Sequence, residues 1–87
     1  MYKVELTREP EKFIRRQNRK TQIQLTSALR KLAAQPRPKQ AKKLAGMDDL
    51  YRVRAGDYRI VYKIEDKKLL VLVVRVAHRK EIYKKPF

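Results

Sequence analysis

The apolar residues of this 87-residue chain change their spacing close to residue 50, and this change limits the folds that the chain can adopt. In residues 23–33 the apolar side chains recur three or four positions apart, which is the spacing of an amphipathic helix. In residues 51–64 they alternate with polar side chains, which is typical of strands with one buried face. Residues 69–76 form a nearly unbroken apolar run, which indicates a strand covered on both faces.

Local signals divide the first half of the chain into a strand and two helices. Residues 2–6 alternate as a strand does, Thr7 can cap a helix, and Pro10 fits only the first turn of that helix. Asn18 marks a break between this short helix and the longer one that follows. Pro36 ends the second helix, because proline and the residue before it disfavour helical backbone. The two helices therefore form a hairpin.

Two short turns divide the second half into three strands. Gly56 and Asp57 form the first turn, and residues 65–68 form the second. The predicted fold class is α+β: an N-terminal strand, an α-helical hairpin, then a three-strand antiparallel meander. These make a four-strand sheet with the helices on one face. The length leaves room for one domain, residues 1–87.

The charge of the chain favours a polyanionic partner. Lys and Arg number 24 against 9 Asp and Glu, a formal net charge of +15. No acidic residue lies between Glu11 and Asp48, an interval that holds eleven Lys and Arg. Solvated helices usually mix both signs, because acid–base pairs three or four residues apart stabilise them. A surface whose charges are all positive favours a nucleic acid over a membrane as the binding partner.

Composition also excludes several classes of chemistry and several locations. The chain has no Cys and one His, so disulfides and clustered metal ligands are not expected, and no cofactor motif is present. No segment approaches the ~18 apolar residues of a membrane span, and the first residues lack a signal core. We therefore expect a cytoplasmic protein without a metal or cofactor.

A group of arginines is the strongest candidate for a functional site. Arg52 and Arg54 are two residues apart on one predicted strand and so point to the same face. Arg59 follows the tight turn, and the tail adds Arg79 and Tyr83 near the end of the last strand. Arginine binds phosphate in a bidentate manner and stabilises charge that develops on it. Because RNA carries its own nucleophile, the 2′-OH, metal-free RNA cleavage is a reaction that this set of residues can support.

The order of motifs along the whole chain resembles the RelE/ParE toxin superfamily, and its RelE branch in particular. The residues that carry this resemblance read KLAGMDDLYRVR at 43–54, GDYRIVY at 56–62 and VVRVAHRKEIY at 73–83. The resemblance implies a type II toxin that acts as an mRNA interferase: it enters the ribosomal A site and cuts the bound mRNA, whose 2′-OH attacks the adjacent phosphate. It also implies a cognate antitoxin, a small RelB-like protein.

The resemblance also implies roles for individual residues. Arg59 matches the arginine that stabilises the phosphate, Arg79 the arginine associated with the leaving group, and Tyr83 the tyrosine that stacks on or orients the nucleotide. Arg54, also assigned to the catalytic group, stands with Arg52 where well-known RelE proteins have lysines. A lysine can act as a general base in some family members, whereas arginine stays protonated and is a poor replacement. The general base is therefore left open between Arg54, His78 and Tyr83. The residues expected to bind RNA are Arg52, His78, Lys42 and Lys43.

Two other functions remain open at this stage. A toxin of the ParE branch would share the fold and inhibit DNA gyrase without cutting RNA. A simple nucleic-acid-binding module would use its charge for phosphate contacts alone, with steeply salt-dependent binding and no cleavage.

Overall fold

The computed structural model describes residues 1–44, 46 and 49–82. Within these residues, five strands and two helices follow one another with a single 3₁₀ turn before the last strand. In chain order these are β1 (Lys3–Leu6), α1 (Arg8–Arg15), α2 (Arg19–Ala34), β2 (Lys42–Lys43), β3 (Leu50–Ala55), β4 (Tyr58–Glu65), the 3₁₀ turn (Asp66–Lys68) and β5 (Leu70–His78). Among these described residues, no helix combines the length and the apolar content needed to cross a membrane.

Both helices begin and end where the sequence predicts. The Asn18 side chain accepts a hydrogen bond from the Thr21 backbone N–H at 2.9 Å and so caps α2. Thr7 stands at the N-cap of α1, but its hydroxyl donates to the Val73 carbonyl at 3.2 Å instead of capping the helix. The Thr7 backbone N–H donates to the same carbonyl at 3.0 Å. Thr7 therefore fixes the start of α1 to β5.

The predicted fold class is confirmed, and the sheet gains one short strand. Its order is β1-β5-β4-β3-β2, with β1 parallel to β5 and every other pair antiparallel. The added strand is β2, in which Lys42 pairs with Arg52 and Lys43 with Tyr51. Two lysines that follow a proline-rich segment give no alternation from which a strand can be predicted.

The main core lies between the sheet and the helix hairpin. Its fully buried members come from both layers: Leu25, Leu32, Ile60, Tyr62, Val71 and Val73. The Tyr62 hydroxyl, buried with its ring, donates to the Pro36 carbonyl at 2.7 Å, and burial raises the pKa of this phenol to about 12. That bond anchors the segment after α2 to the centre of the sheet.

A β-bulge in β5 decides which side chains face the helices in the last part of the sheet. Tyr62 pairs with Val73 but Val61 pairs with Arg75, so Val74 is an extra residue. One extra residue reverses the alternation beyond it. Arg75 consequently lies on the face away from the helices, and Val76 returns to the core.

A second, smaller apolar cluster lies on the sheet face away from the helices. Val61, Ala77 and Ile82 are buried there, with Leu44, Leu50 and Val74 packed against them. Ile82 belongs to a turn after β5 in which the backbone N–H groups of Glu81 and Ile82 both donate to the His78 carbonyl. The apolar run of residues 69–76 predicts that the last strand is covered on both faces, but it does not identify the cover on this one. The structure shows that the tail turn provides it through Ile82.

Arg37 and Asp66 join three segments at the end of the sheet far from the tight turn. The Arg37 guanidinium donates to both Asp66 carboxylate oxygens, at 3.1 and 2.9 Å, and lies 5.7 Å from the centre of the Tyr51 ring. The Tyr2 hydroxyl donates to Asp66 at 2.6 Å. These bonds, first from Arg37 and then from Tyr2, lower the pKa of Asp66 to about 2. The link ties β1, the loop after α2 and the 3₁₀ turn together.

The Asp66→Asn variant is expected to be less stable than the wild type at neutral pH, with a difference that shrinks in acid. A carboxyl whose folded pKa is lowered stabilises the fold above its unfolded value of 3.8, and this contribution disappears as the pH falls towards 2. The measurement is the urea midpoint of both proteins between pH 7 and pH 2. A difference that stays constant over this range would contradict the assignment.

Candidate functional site

The sheet face away from the helices carries a row of cations at the end nearest the tight turn. Residues paired across neighbouring strands point to the same face. Lys42 pairs with Arg52, and Arg54 pairs with Arg59. Val61 of β4 pairs with Arg52 on one side and with Arg75 on the other, so these two arginines lie on the same face. We call this surface the arginine face, defined by Lys42, Arg52, Arg54, Arg59 and Arg75.

Two pairs of like charge stand directly opposite each other on the arginine face. They are Lys42 with Arg52 and Arg54 with Arg59. Like charges in directly opposite positions destabilise a sheet, by an amount of the order of 0.2–1 kcal/mol for a cross-strand pair. An anion bound between the paired side chains would reduce the repulsion between them. Arginine binds phosphate in a bidentate manner, so the pattern is compatible with a phosphate ligand.

Arg59 is held at the tight turn by its own side chain. Its Nη1 donates to the Gly56 carbonyl at 3.1 Å and to the Tyr58 carbonyl at 2.9 Å. The guanidinium carries five N–H donors in a planar fork. Since these two bonds use one of its nitrogens, the remaining donors lie close to where a phosphate would meet the turn.

The tight turn also positions Arg79. The Arg79 backbone N–H donates to the Asp57 carbonyl at 2.7 Å, and its Nε lies 3.8 Å from the Asp57 carboxylate. Both side chains are more than half exposed, at 56% and 68%, so this ion pair is weak and a stronger anion can replace it. Arg59 and Arg79 thus approach the same turn, one from β4 and one from the segment after β5.

Gly56 lets this turn pass close to α2. Its φ is +62°, and a Cβ there would collide with the side-chain amide of Gln24. Gly56→Ala is expected to lower the free energy of unfolding by about 1–2 kcal/mol, because left-handed backbone is strained for residues with a Cβ. Gln24 is exposed and can move away, so the backbone strain is the lasting cost.

Denaturant unfolding of the double variant Gln24→Ala/Gly56→Ala separates the two causes. Measured against Gln24→Ala, the glycine substitution should cost as much as it does in the wild type. A cost that vanishes in the Gln24→Ala background would show that the collision, and not the backbone angle, requires glycine.

His78 does not lie on the arginine face. It pairs with Tyr58, and its ring packs edge-on against the Tyr58 ring with 5.6 Å between centres, on the side of the helices. Its Nδ1 accepts the Lys80 backbone N–H at 3.1 Å, which leaves Nε2 to carry the proton in the neutral ring. His78 therefore stabilises the tail turn from the opposite side of the sheet.

The other residues predicted to bind RNA or to take part in catalysis differ in the face of the sheet on which they lie. Arg52, Arg54 and Lys42 lie on the arginine face as expected, whereas Lys43 pairs with Tyr51 and points to the other side. Tyr83 lies outside the described residues. Within the described part of the chain, no group of three His, Cys, Asp or Glu side chains is placed to hold a metal ion.

The structure adds two residues that the sequence analysis did not select. Arg75 joins the arginine face through the bulge, and its Nη2 donates to the Glu81 carbonyl at 3.2 Å. The signal available in the sequence was an arginine inside an otherwise apolar strand. Asp57 contacts Arg79, as described above, but its position in a Gly-Asp pair indicates only a turn.

Comparison with known protein families gives one match that spans nearly all of the chain. The model described as the ParE toxin of the type II toxin–antitoxin system matches residues 4–83. Over 48 residues the chain is 42% identical to the mRNA interferase toxin RelE of Escherichia coli K12, a match that covers 51% of this chain and 50% of that protein. The chain thus spans about half the length of this curated relative in the match.

Solved structures extend the similarity over most of the chain. The toxin in the intact E. coli RelBE toxin–antitoxin complex superposes with a TM-score of 0.77 and 30% identity, covering 90% of this chain and 96% of that one. The archaeal RelE–RelB complex from Pyrococcus horikoshii OT3 gives a TM-score of 0.78 and 25% identity, with 90% and 94% covered.

Proposed function

Because the chain belongs to the RelE/ParE superfamily of type II toxins, on its RelE-like branch, we propose that it is an endoribonuclease that cuts messenger RNA in the ribosomal A site. The named relative from E. coli is an mRNA interferase toxin, and the two complexes above are of RelE with RelB. These names support a toxin that acts on mRNA and is neutralised by a small RelB-like antitoxin. The ribosome is the partner that supplies the bound mRNA.

The observation that carries the proposal is the pairing of like charges on the arginine face. Arg54 lies opposite Arg59, and Lys42 lies opposite Arg52. A scissile phosphate placed between Arg54 and Arg59 would accept hydrogen bonds from two cations that lie directly opposite each other. A phosphorane-like transition state carries more charge on its oxygens than the ground state does, so the same cations bind it more strongly.

The proposed reaction uses the RNA's own 2′ oxygen. The 2′-OH loses its proton as the oxygen attacks the adjacent phosphorus, the bond from phosphorus to the 5′ oxygen breaks, and that oxygen takes up a proton from water. The products are a 2′,3′-cyclic phosphate and a 5′-OH end. Arg59 and Arg54 stabilise the equatorial oxygens, and Arg79 stabilises the charge on the leaving oxygen.

The base that accepts the 2′-OH proton is proposed to be Tyr83. An arginine guanidinium is in general a poor base, and the His78 ring lies on the other side of the sheet, where its Nδ1 already accepts a hydrogen bond. Tyr83 is the next residue after Ile82 in the sequence, and a phenol can both stack on a base and pass a proton. Arg52 and Lys42 contact flanking phosphates.

Mapping of 5′ ends by primer extension, after induced expression in growing cells, tests the proposal. New ends at fixed positions within codons of translated messages are expected, together with arrest of translation. Arrest without new ends would reject it. Because the matching family model is that of ParE, inhibition of gyrase is the alternative outcome. Loss of supercoiling with purified protein and intact mRNA would select that alternative.

A further inference from the structure

A groove of about 770 Å³ runs between α1 and β5 beside the arginine face. Four cations and one carboxylate line it, together with apolar side chains on its floor. The cations are Arg8, Lys12, Arg16 and Arg75, and the carboxylate is Glu9. Such an excess of positive charge along a cleft attracts an anionic chain.

Three of these cations form a row along α1. Arg8, Lys12 and Arg16 are four residues apart, so they lie on one face of the helix with a rise of about 6 Å between them. Like charges at this spacing destabilise a helix, and a cation in the first turn also opposes the helix dipole. None of the three takes part in an ion pair with a described residue, whereas Arg15 is paired with Glu11 at 2.7 Å.

The groove continues directly into the candidate site. Its β5 wall includes Arg75 and Ala77, whose partners across β4 are Val61 and Arg59. An extended RNA strand whose phosphate lies at Arg59 on β4 would therefore reach the groove by crossing β5. The accessible apolar surface of the groove floor comes from Phe13 and Val74, which are only partly buried, and it is of the kind that riboses and bases contact.

We propose that this groove holds the mRNA strand next to the scissile phosphate, with Lys12 and Arg16 contacting its backbone. The inference rests on the proposed function. A row of side-chain cations at regular intervals above an apolar floor matches a chain that carries one phosphate per nucleotide. An acidic polypeptide would also neutralise the cations, but continuity with the arginine face favours the substrate.

Photocrosslinking on the programmed ribosome tests the proposal. Benzoylphenylalanine is placed at position 12, and at position 20 as the matched control. Lys20 is also exposed, but it belongs to α2 and is not among the residues that line the groove. The mRNA carries 2′-O-methyl groups at the A-site codon, so it binds without being cut. We expect crosslinks to mRNA from position 12 and none from position 20.

A charge-reversal pair supplies a kinetic readout with unmodified mRNA. Lys12→Glu/Arg16→Glu and the control Lys20→Glu/Lys39→Glu change the net charge equally and at exposed positions. We expect the first to slow cleavage at limiting protein concentration at least tenfold and the control less than threefold. Equal slowing by both pairs would indicate a general effect of charge and overturn the proposal.

The remaining outcomes separate this proposal from the one on which it rests. Cleavage by the wild type without an mRNA crosslink from position 12 overturns the groove assignment alone. Crosslinks from position 12 only to ribosomal RNA or to a protein assign the groove to another partner and likewise overturn it. Failure of the wild type to cut mRNA on the ribosome rejects the proposed function, whatever position 12 contacts.

Discussion

Arg59→Ala is expected to slow cleavage of ribosome-bound mRNA by about 10²–10³-fold, the loss typical of removing one preorganised group that stabilises transition-state charge. Among the described residues, the Arg59 side chain donates hydrogen bonds to the carbonyls of Gly56 and Tyr58, both at the turn. Water can replace it there, so the fold should remain intact. Single-turnover cleavage of a defined message measures the rate, and circular dichroism checks the fold.

Lys67→Ala is the matched control for this experiment. Lys67 is exposed in the 3₁₀ turn and has the same charge, but it lies at the opposite end of the sheet. We expect its rate to stay within a factor of two of the wild type. Arg59→Lys should recover only part of the activity, because an ammonium keeps the charge but loses the planar fork. An Arg59→Ala rate close to the wild-type rate would remove Arg59 from the reaction.

Leu25→Ala is expected to lower the free energy of unfolding by about 2–5 kcal/mol. Leu25 is fully buried between α2 and the sheet. Its truncation leaves a cavity that neighbouring strands cannot fill without moving. For a domain of this size each kcal/mol corresponds to about 4–8 °C in Tm, so the Tm should fall by about 8 °C or more.

Ile23→Ala is the control for Leu25→Ala on the same helix. Its side chain is 59% exposed, two residues away, and alanine has the higher helix propensity. We expect its free energy of unfolding to lie within about 0.5 kcal/mol of the wild type. Equal losses in the two variants would show that α2 does not bury the face containing Leu25.

The alternation in the sequence was sufficient to predict where Arg52, Arg54 and Arg59 lie. The two residues of the turn at Gly56 set the register of β3 against β4, so Arg54 had to meet Arg59. The resemblance to the RelE branch supplied what alternation cannot, namely the chemistry proposed for these residues. The helices were equally predictable, because Asn18 and Pro36 are strong signals for the beginning and the end of α2.

The bulge at Val74 limited what the sequence could show about β5. With unbroken alternation from Val71 and Val73, His78 would join the arginine face and Arg75 would point at the helices. The extra residue reverses both orientations, so His78 lies on the side of the helices and Arg75 on the arginine face. A bulge depends on tertiary packing, and an apolar run such as 69–76 fits either phase equally well. The small cluster around Ile82 escaped prediction for a similar reason, since a single apolar residue in a polar tail has no period.

The position of β5 inside the sheet has a consequence for the timing of synthesis. β5 is the last of the five strands to be made, yet it is the one that joins β1 to the others: Lys3 pairs with Leu70, and Tyr58 with His78. A nascent chain that ends before β5 leaves β1 without a partner and the helix hairpin without half of its floor. Long-range pairing of this kind forms late. Arg79 follows β5 at once, so the proposed site is complete only when the sheet is complete. Under the proposed function, a ribosome that is still making the chain is therefore not yet exposed to an active site.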